Sequence, residues 1–333
     1  MKSLKADRLI ITYYRDKLRG HRLTAKAKEL LLADNPARFE FYLTGNTETN
    51  ALKSEITRRL RLHRIAETTV TMQNADASVF RDDKPDIFYP ADGKPTPLTG
   101  LSTSAFYGSR EIKEIGAGST VIRGARMAGV LLADTAAYIV YNTGASLMKW
   151  DYKPEMRAKA LLTALLCRER LSGVYGTNDV KGLMLGDDME TAYQMMTSTG
   201  GVKRSYFVLD GNYDNFLYLP NDHAGETVLR ILCSKALTDE LNRILAVNLK
   251  PRAPGLPVEH DALDDNGAPV LFGYSFDMQR IIRFDSALRL HSRTGTLICF
   301  DFQADVLRRY CSENTRFQTI DLTKLERRFF PSE

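Results

Sequence analysis

Hydrophobic and polar positions near the start of the chain follow two different periods. Leu9–Tyr14 is a β-branched and aromatic run, and His21–Leu23 allows a second strand after a basic turn that ends at Gly20. Thr24 stands at the N-cap position before AKAKELLLAD, which we expect to be helical. From about Leu52, apolar residues recur at helical spacing, which predicts a long helix with one buried stripe. The stripe consists of Leu62, Ile65, Ala66, Thr69 and Val70.

Further along the chain, strand patterns alternate with helical ones. Met127–Leu132 and Tyr138–Tyr141 predict a hairpin. Met156–Leu171 and Met184–Thr197 have the apolar content and spacing expected of helices. Lys250–Asn266 is rich in proline, glycine and acidic residues, which indicates a loop or a linker.

The end of the chain predicts the fold class. Thr296–Phe300, Ala304–Cys311 and Gln318–Ile320 fit a strand, a helix and a strand, an arrangement that points to at least one parallel strand pair. We therefore expect an α/β protein with a mixed sheet. Three regions are predicted: a basic region over 1–50, an α/β core over 51–250, and a C-terminal linker with a βαβ-like unit over 251–333, packed on the core.

Composition narrows the class of protein. Apolar residues make up 44% and charged residues 26% of the 333 residues, which is typical of a globular protein. No apolar run approaches the roughly 18 residues of a membrane span, and MKSLKADRLI lacks the apolar region of a signal peptide. We expect a cytoplasmic protein without a membrane partner. The four cysteines lack CxxC spacing, so we expect neither a zinc site nor a disulfide framework.

Positive charge is concentrated in the first fifth of the chain. Residues 1–66 carry 15 Lys/Arg and 7 Asp/Glu, whereas the remainder has a net charge of −3. This asymmetry is typical of a surface that faces a polyanion, although a solvated basic face is an equal alternative. The side chains that we expect to contact DNA phosphates are Arg15, Lys17, Arg19 and Arg22 near the turn, and Arg58, Arg59, Arg61 and Arg64 on the long helix.

One set of residues could bind a metal. Pro85-Asp86 is followed by Glu111-Ile112-Lys113, and on a strand Glu111 and Lys113 would point to the same side. Asp86 and Glu111 would then hold magnesium, and Lys113 would stabilise charge on a phosphate, as in the PD…ExK pattern of DNA-cleaving enzymes. The same residues also fit a short helix capped by Ser109 and Gly116, on which Glu111 and Lys113 diverge. We favour the helix.

Three segments carry a family resemblance. HRLTAKAKELL (residues 21–31), RRLRLHRIAE (58–67) and KPDIF (84–88) follow one another in an order that resembles the replication-relaxation family of plasmids and integrative mobile elements. The resemblance spans roughly residues 9–150. It implies a winged-helix DNA-binding part joined to a domain with a restriction-endonuclease-like fold. Here only a partial winged helix is expected, because the chain begins at the wing, so either a longer form exists or the recognition helix is missing.

These observations favour one function and leave two alternatives. The leading hypothesis is a DNA-binding accessory protein of a bacterial mobile genetic element, acting in replication, in transfer or in their regulation. It would bind the phosphate backbone, without a cofactor, and could join protein partners of a transfer or replication complex. The first alternative is a magnesium-dependent nuclease that uses Asp86, Glu111 and Lys113. The second is a non-enzymatic protein-interaction scaffold.

Overall fold

Two mixed β-sheets organise the part of the chain that the structure describes. The computed structural model describes residues 1–15, 18–43, 56–88, 98–115, 122, 124–144, 152–191 and 216–331. Within these ranges each sheet has five strands and combines parallel with antiparallel neighbours. The expected α/β class with a mixed sheet is confirmed.

The N-terminal region is built around a hairpin. Its elements are α1 (Lys2–Ala6), β1 (Ile10–Arg15), β2 (Leu18–Leu23), α2 (Ala25–Asp34) and α3 (Pro36–Leu43). The strands β1 and β2 pair antiparallel, from Ile10 opposite Leu23 to Arg15 opposite Leu18. The predicted pair of strands is therefore confirmed, and residues 16–17 between them lie outside the described part.

Thr24 begins α2 as its position in the sequence predicts. Its hydroxyl accepts a hydrogen bond from Ala27 N (3.2 Å) and donates one to the Arg8 carbonyl (2.8 Å). The first bond satisfies an amide that the helix start leaves open. The second ties α2 to the turn before β1, so the helix and the hairpin have a fixed relative orientation.

The first sheet holds its strands in chain order. The antiparallel part consists of β3 (Ala105–Gly108), β4 (Gly129–Leu132) and β5 (Ala137–Gly144), and the hairpin predicted from residues 127–141 is confirmed as β4 and β5. The strands β6 (Val180–Gly186) and β7 (Phe216–Pro220) then add in parallel.

Helices in the described part of the chain accompany this first sheet. Before it comes α4 (Ile56–Asn74), which contacts β3 and β5. The short helix α5 (Ser109–Ile115) joins β3 to β4, and α6 (Tyr152–Ala164) lies between β5 and β6. At its end α6 continues as a π-helical segment over Leu165–Arg170, so the helix predicted from Met156 is confirmed.

The stretch Met184–Thr197 begins as a strand, so the prediction of a helix there is wrong at its start. Residues 184–186 complete β6, the chain is helical at 189–191, and residues from 192 onward lie outside the described part. Leu183 and Leu185 are fully buried because β6 has a parallel neighbour on each side and is covered on both faces. Such a strand has a continuous apolar sequence and lacks the alternation that would identify it.

The second sheet is built from the C-terminal part of the chain. Its order is β12-β11-β10-β9-β8, and the three strands β10, β11 and β12 are parallel. The strands are β8 (Lys250–Pro251), β9 (Ala262–Leu263), β10 (Pro269–Phe272), β11 (Gly295–Phe300) and β12 (Thr315–Ile320). The predicted parallel pair at the end of the chain is confirmed as β11 and β12.

Five helices accompany this sheet. The helices α7 (His223–Cys233) and α8 (Lys235–Leu245) precede it in the chain. The crossovers between the parallel strands are α9 (Met278–Leu290) and α10 (Asp301–Tyr310), and α11 (Leu322–Phe329) follows the last strand.

The same two hydrophobic clusters extend over both sheets. On β5, Ile139 belongs to one cluster and Tyr138 to the other, because neighbouring side chains point to opposite faces. On β11, Leu297 and Ile298 divide between the same two clusters. Residues beyond 250 therefore share their core with the first sheet.

The apolar stripe predicted for α4 is not the face that packs on the sheet. Leu62 is 40% exposed and Val70 is 55% exposed, whereas Thr68 and Met72 are fully buried. On the inward face, the Asn142 amide on β5 donates to the Thr68 hydroxyl (3.2 Å). The predicted stripe lines a groove of about 780 Å³ that α3 and α5 border.

Candidate nucleic-acid interface

Tyr13 and Gly20 position the N-terminal hairpin against α4. The two residues are opposite each other in the strand register, and a Cβ at position 20 would lie 2.3 Å from the Tyr13 ring. Glycine therefore lets the ring cross the neighbouring strand. From there the Tyr13 hydroxyl reaches His63 Nε2 of α4 at 3.4 Å. This contact links the hairpin to α4.

The strand β2 presents basic side chains to solvent. Arg19, His21 and Arg22 are exposed, as is Lys26 in the first turn of α2. The pKa of His21 is lowered, first by partial desolvation and then by the positive charges of Lys5 and Arg19. We call Arg19, His21, Arg22 and Lys26 the basic hairpin surface.

Two of the four hairpin residues predicted to contact phosphate have described side chains. Arg19 and Arg22 lie in β2 and are open to solvent. Arg15 is the last residue of β1, but its side chain, like the whole of Lys17, lies outside the described part. For Arg15 and Lys17, phosphate contact stays a prediction.

Of the arginines of α4, those with described side chains turn toward the body of the protein. Arg59 is 1% exposed, and Arg61 is half-buried, with its Nη2 donating to the Ala125 carbonyl (3.4 Å). Arg64 is half-buried beside Gly144, and the Arg58 side chain lies outside the described part. A buried guanidinium cannot reach a phosphate, so the prediction of DNA contact is wrong for Arg59. Arg61 and Arg64 have protein neighbours instead of an open face.

The segment REIKEI is helical, as we favoured, but Ser109 is the first residue of the helix and not the cap that we predicted. Residues 109–115 form α5, and Gly116 lies outside the described part. Glu111 lies in the first turn of α5, and its Oε2 accepts a hydrogen bond from Gly108 N (2.7 Å). Through this bond the Glu111 side chain caps the start of its own helix. The strand geometry that the metal site requires is therefore not formed.

Lys84 pairs with Glu111, the carboxylate that the metal-site hypothesis assigned to magnesium. Its ammonium lies 2.8 Å from Glu111 Oε1 and donates to Glu111 Oε2 (2.9 Å) and to the carbonyls of Val79 (3.0 Å) and Phe106 (2.7 Å). Burial lowers the pKa of Lys84, and the charge of Glu111 offsets part of that effect. Asp86, in contrast, is exposed. Sequence reasoning missed Lys84, although it directly precedes Pro85-Asp86.

Lys113 has neighbours other than Glu111 and Asp86. Burial lowers the pKa of Lys113 to about 8, and the charges of Arg61 and Arg126 act in the same direction. The nearby Glu155 is fully buried on α6, and burial raises its pKa to about 7. The Arg126 amide donates to Glu155 Oε1 (2.7 Å) and partly opposes this shift. No pattern in the sequence links Glu155 with Lys113.

Comparisons with known proteins add no relative. No family model, curated protein or solved structure matches this chain. Among the described residues, no group of three or more His, Cys, Asp or Glu side chains is arranged to hold a metal ion. Over the same residues, no helix combines the length and the apolar character needed to cross a membrane.

Replacing Lys84 should strongly destabilise the protein. In Lys84→Met the Glu111 carboxylate stays buried without its cation, which costs about 3–5 kcal/mol of the free energy of unfolding. The double variant Lys84→Met/Glu111→Gln removes both charges, and we expect it to recover most of that loss. Denaturant unfolding of the three proteins measures the difference. Equal destabilisation in the single and the double variant would contradict the account.

Glu155 should make stability depend on pH. Because its pKa is higher in the folded state than the unperturbed value of 4.5, its ionisation favours unfolding. The wild type should therefore lose roughly 3 kcal/mol relative to Glu155→Gln between pH 4.5 and 7. Lys113→Met is the control, since Lys113 titrates at about pH 8 and above. Parallel stability curves for the wild type and Glu155→Gln would show that the carboxyl does not titrate in this range.

Proposed function

We propose that this protein binds duplex DNA through its basic hairpin surface. The observation that carries the proposal is the exposure of Arg19 and Arg22 on a strand that Tyr13 and Gly20 hold against α4. Arginine contacts phosphate oxygens with two parallel hydrogen bonds, and such contacts supply most of the affinity of sequence-independent binding. Binding of this kind positions a protein on the duplex without reading bases.

The distribution of charge supports the hairpin over the helix. The first 66 residues carry the excess of basic side chains, but Arg59 on α4 is buried and Arg61 contacts Ala125. Among the residues named as phosphate contacts, Arg19 and Arg22 are the two whose described side chains are exposed. Desolvation is the main cause of the lowered pKa of His21, and the positive charges of Lys5 and Arg19 lower it further.

The setting that we propose is a bacterial mobile genetic element. The segment HRLTAKAKELL, one of the three that resemble the replication-relaxation family, contains Arg22, Thr24 and Lys26. The residues of the resemblance and those of the basic hairpin surface therefore overlap. An accessory role in replication, transfer or their regulation fits a protein that binds DNA without cleaving it.

The two alternative functions, nuclease and scaffold, can be distinguished from DNA binding. A nuclease that uses Asp86, Glu111 and Lys113 has no support from the geometry, because Lys84 holds Glu111 and Asp86 is exposed elsewhere. A scaffold without DNA affinity predicts no salt-dependent binding to a duplex. Binding measurements therefore decide between the scaffold and the proposal.

Replacing the two exposed arginines should weaken DNA binding. We expect Arg19→Ala/Arg22→Ala to reduce affinity for duplexes of unrelated sequence to a similar extent. Because each phosphate contact contributes about −0.9 to the slope of log K against log salt, the loss of two contacts should make the slope shallower by about 2. Fluorescence anisotropy with labelled duplexes over a series of salt concentrations measures both quantities.

The control removes the same charge from another surface. Arg252 and Arg293 are exposed in the C-terminal part of the chain, so Arg252→Ala/Arg293→Ala matches the change in net charge. This variant should keep the wild-type slope. Identical slopes for both double variants, or salt-insensitive binding by the wild type, would refute the assignment to the hairpin.

A further inference from the structure

A pocket of about 400 Å³ lies where the two sheets meet. Tyr138 and Lys181 reach it from the first residues of β5 and β6. Tyr274 and Asp277 reach it from the loop between β10 and α9. Its size and its position between two structural units are typical of sites for small molecules. We call it the inter-sheet pocket.

Two carboxylates of the inter-sheet pocket are already neutralised. Arg280 Nε donates to Glu259 Oε1 (2.8 Å), and Arg280 Nη2 donates to Asp261 Oδ1 (2.5 Å). Arg283 Nε donates to the second oxygen of Glu259 (3.2 Å), and the amide of Phe272 donates to Asp261 Oδ2 (2.7 Å). These groups form a fixed wall with little charge left for a ligand.

Lys181 and Asp277 are different, because each keeps a charged atom open to the pocket. The Lys181 ammonium has no hydrogen-bond or ion-pair partner among the described residues. Asp277 Oδ1 accepts from Arg280 N (3.2 Å) and caps α9, whereas its Oδ2 has no partner in the same part of the chain. Nor do the two side chains form a salt bridge with each other.

Asp277 is buried and Lys181 is half-buried, and this burial raises the free energy of their charged forms. Burial lowers the pKa of Lys181, and the carboxylates of Asp179 and Asp277 offset part of this effect. Burial raises the pKa of Asp277, against the hydrogen bond from Arg280 N. Charges of opposite sign that are partly removed from water and do not touch each other are satisfied by a molecule that brings a partner to each.

We propose that the inter-sheet pocket binds a small zwitterion of the α-amino-acid type, with its carboxylate at Lys181 and its ammonium at Asp277. A simple anion would satisfy Lys181 and leave Asp277 open, and a simple cation would do the reverse. The rings of Tyr138, Phe272 and Tyr274 line the same pocket and suit an ammonium group or an apolar side chain.

The first experiment uses the wild-type protein and a panel of the common α-amino acids. Thermal-shift screening up to about 10 mM, followed by calorimetry, should identify at least one that binds with saturation. For each hit, the matched acid without the amine and the matched amine without the carboxylate are tested. Because each analogue loses one charge-assisted hydrogen bond, both should bind at least about tenfold more weakly.

The second experiment locates the site with conservative variants. Lys181→Met keeps the apolar stem of the side chain, and Asp277→Asn keeps a residue that caps helices well. Each should weaken binding of the hit by about 10–100-fold. Lys113→Met, at a half-buried lysine outside the pocket, should leave it unchanged.

Several results would overturn the proposal. They are the absence of any saturable amino-acid binding, equal binding of the amine-free acids, and wild-type affinity in both Lys181→Met and Asp277→Asn. The analogue series requires no variant, so the zwitterion requirement is tested even where a substitution prevents folding.

Discussion

The buried ion pair of Lys84 with Glu111 stabilises the part of the chain that leads from α4 into the first sheet. The ammonium joins the carbonyls of Val79 and Phe106 to a carboxylate that also caps the start of α5. Both side chains are almost completely removed from water, with 1% and 3% of their surface exposed. An unpaired charge at this depth would be very costly, so the segment before β3, the strand itself and α5 are held together.

The same ion pair explains why a nuclease-like motif is present without a nuclease-like site. Pro85-Asp86 and Glu111-Ile112-Lys113 have the residue types of a metal-dependent enzyme. In the structure, Glu111 caps the start of α5 and forms an ion pair with Lys84. Lys113 lies near Glu155 instead. Among the described residues, Lys84 and Glu111 therefore form a structural ion pair in place of the proposed metal site. Candidate binding chemistry lies elsewhere, on the hairpin and between the sheets.

Local signals predicted local structure well. The hairpin, the Thr24 cap, the β4–β5 pair and the final strand–helix–strand unit depend on turn residues, capping and short-range patterning, and all of them are found. The inward face of α4 was mispredicted because it is set by packing on distant strands, where Thr68 meets Asn142, 74 positions away, and Met72 is buried. The pairing of Lys84 with Glu111 likewise depends on contacts between distant segments, which one sequence does not reveal. The same holds for the position of Lys181 and Asp277 in one pocket.

We propose that the basic hairpin surface is the part of the protein that meets DNA. Amide hydrogen exchange, measured with and without a short DNA duplex at low salt, tests it directly. We expect added protection in β1, β2 and the first turn of α2, because phosphates that contact Arg19 and Arg22 cover the hairpin. Protection confined to α4 or to the C-terminal sheet, with unchanged exchange in the hairpin, would contradict it.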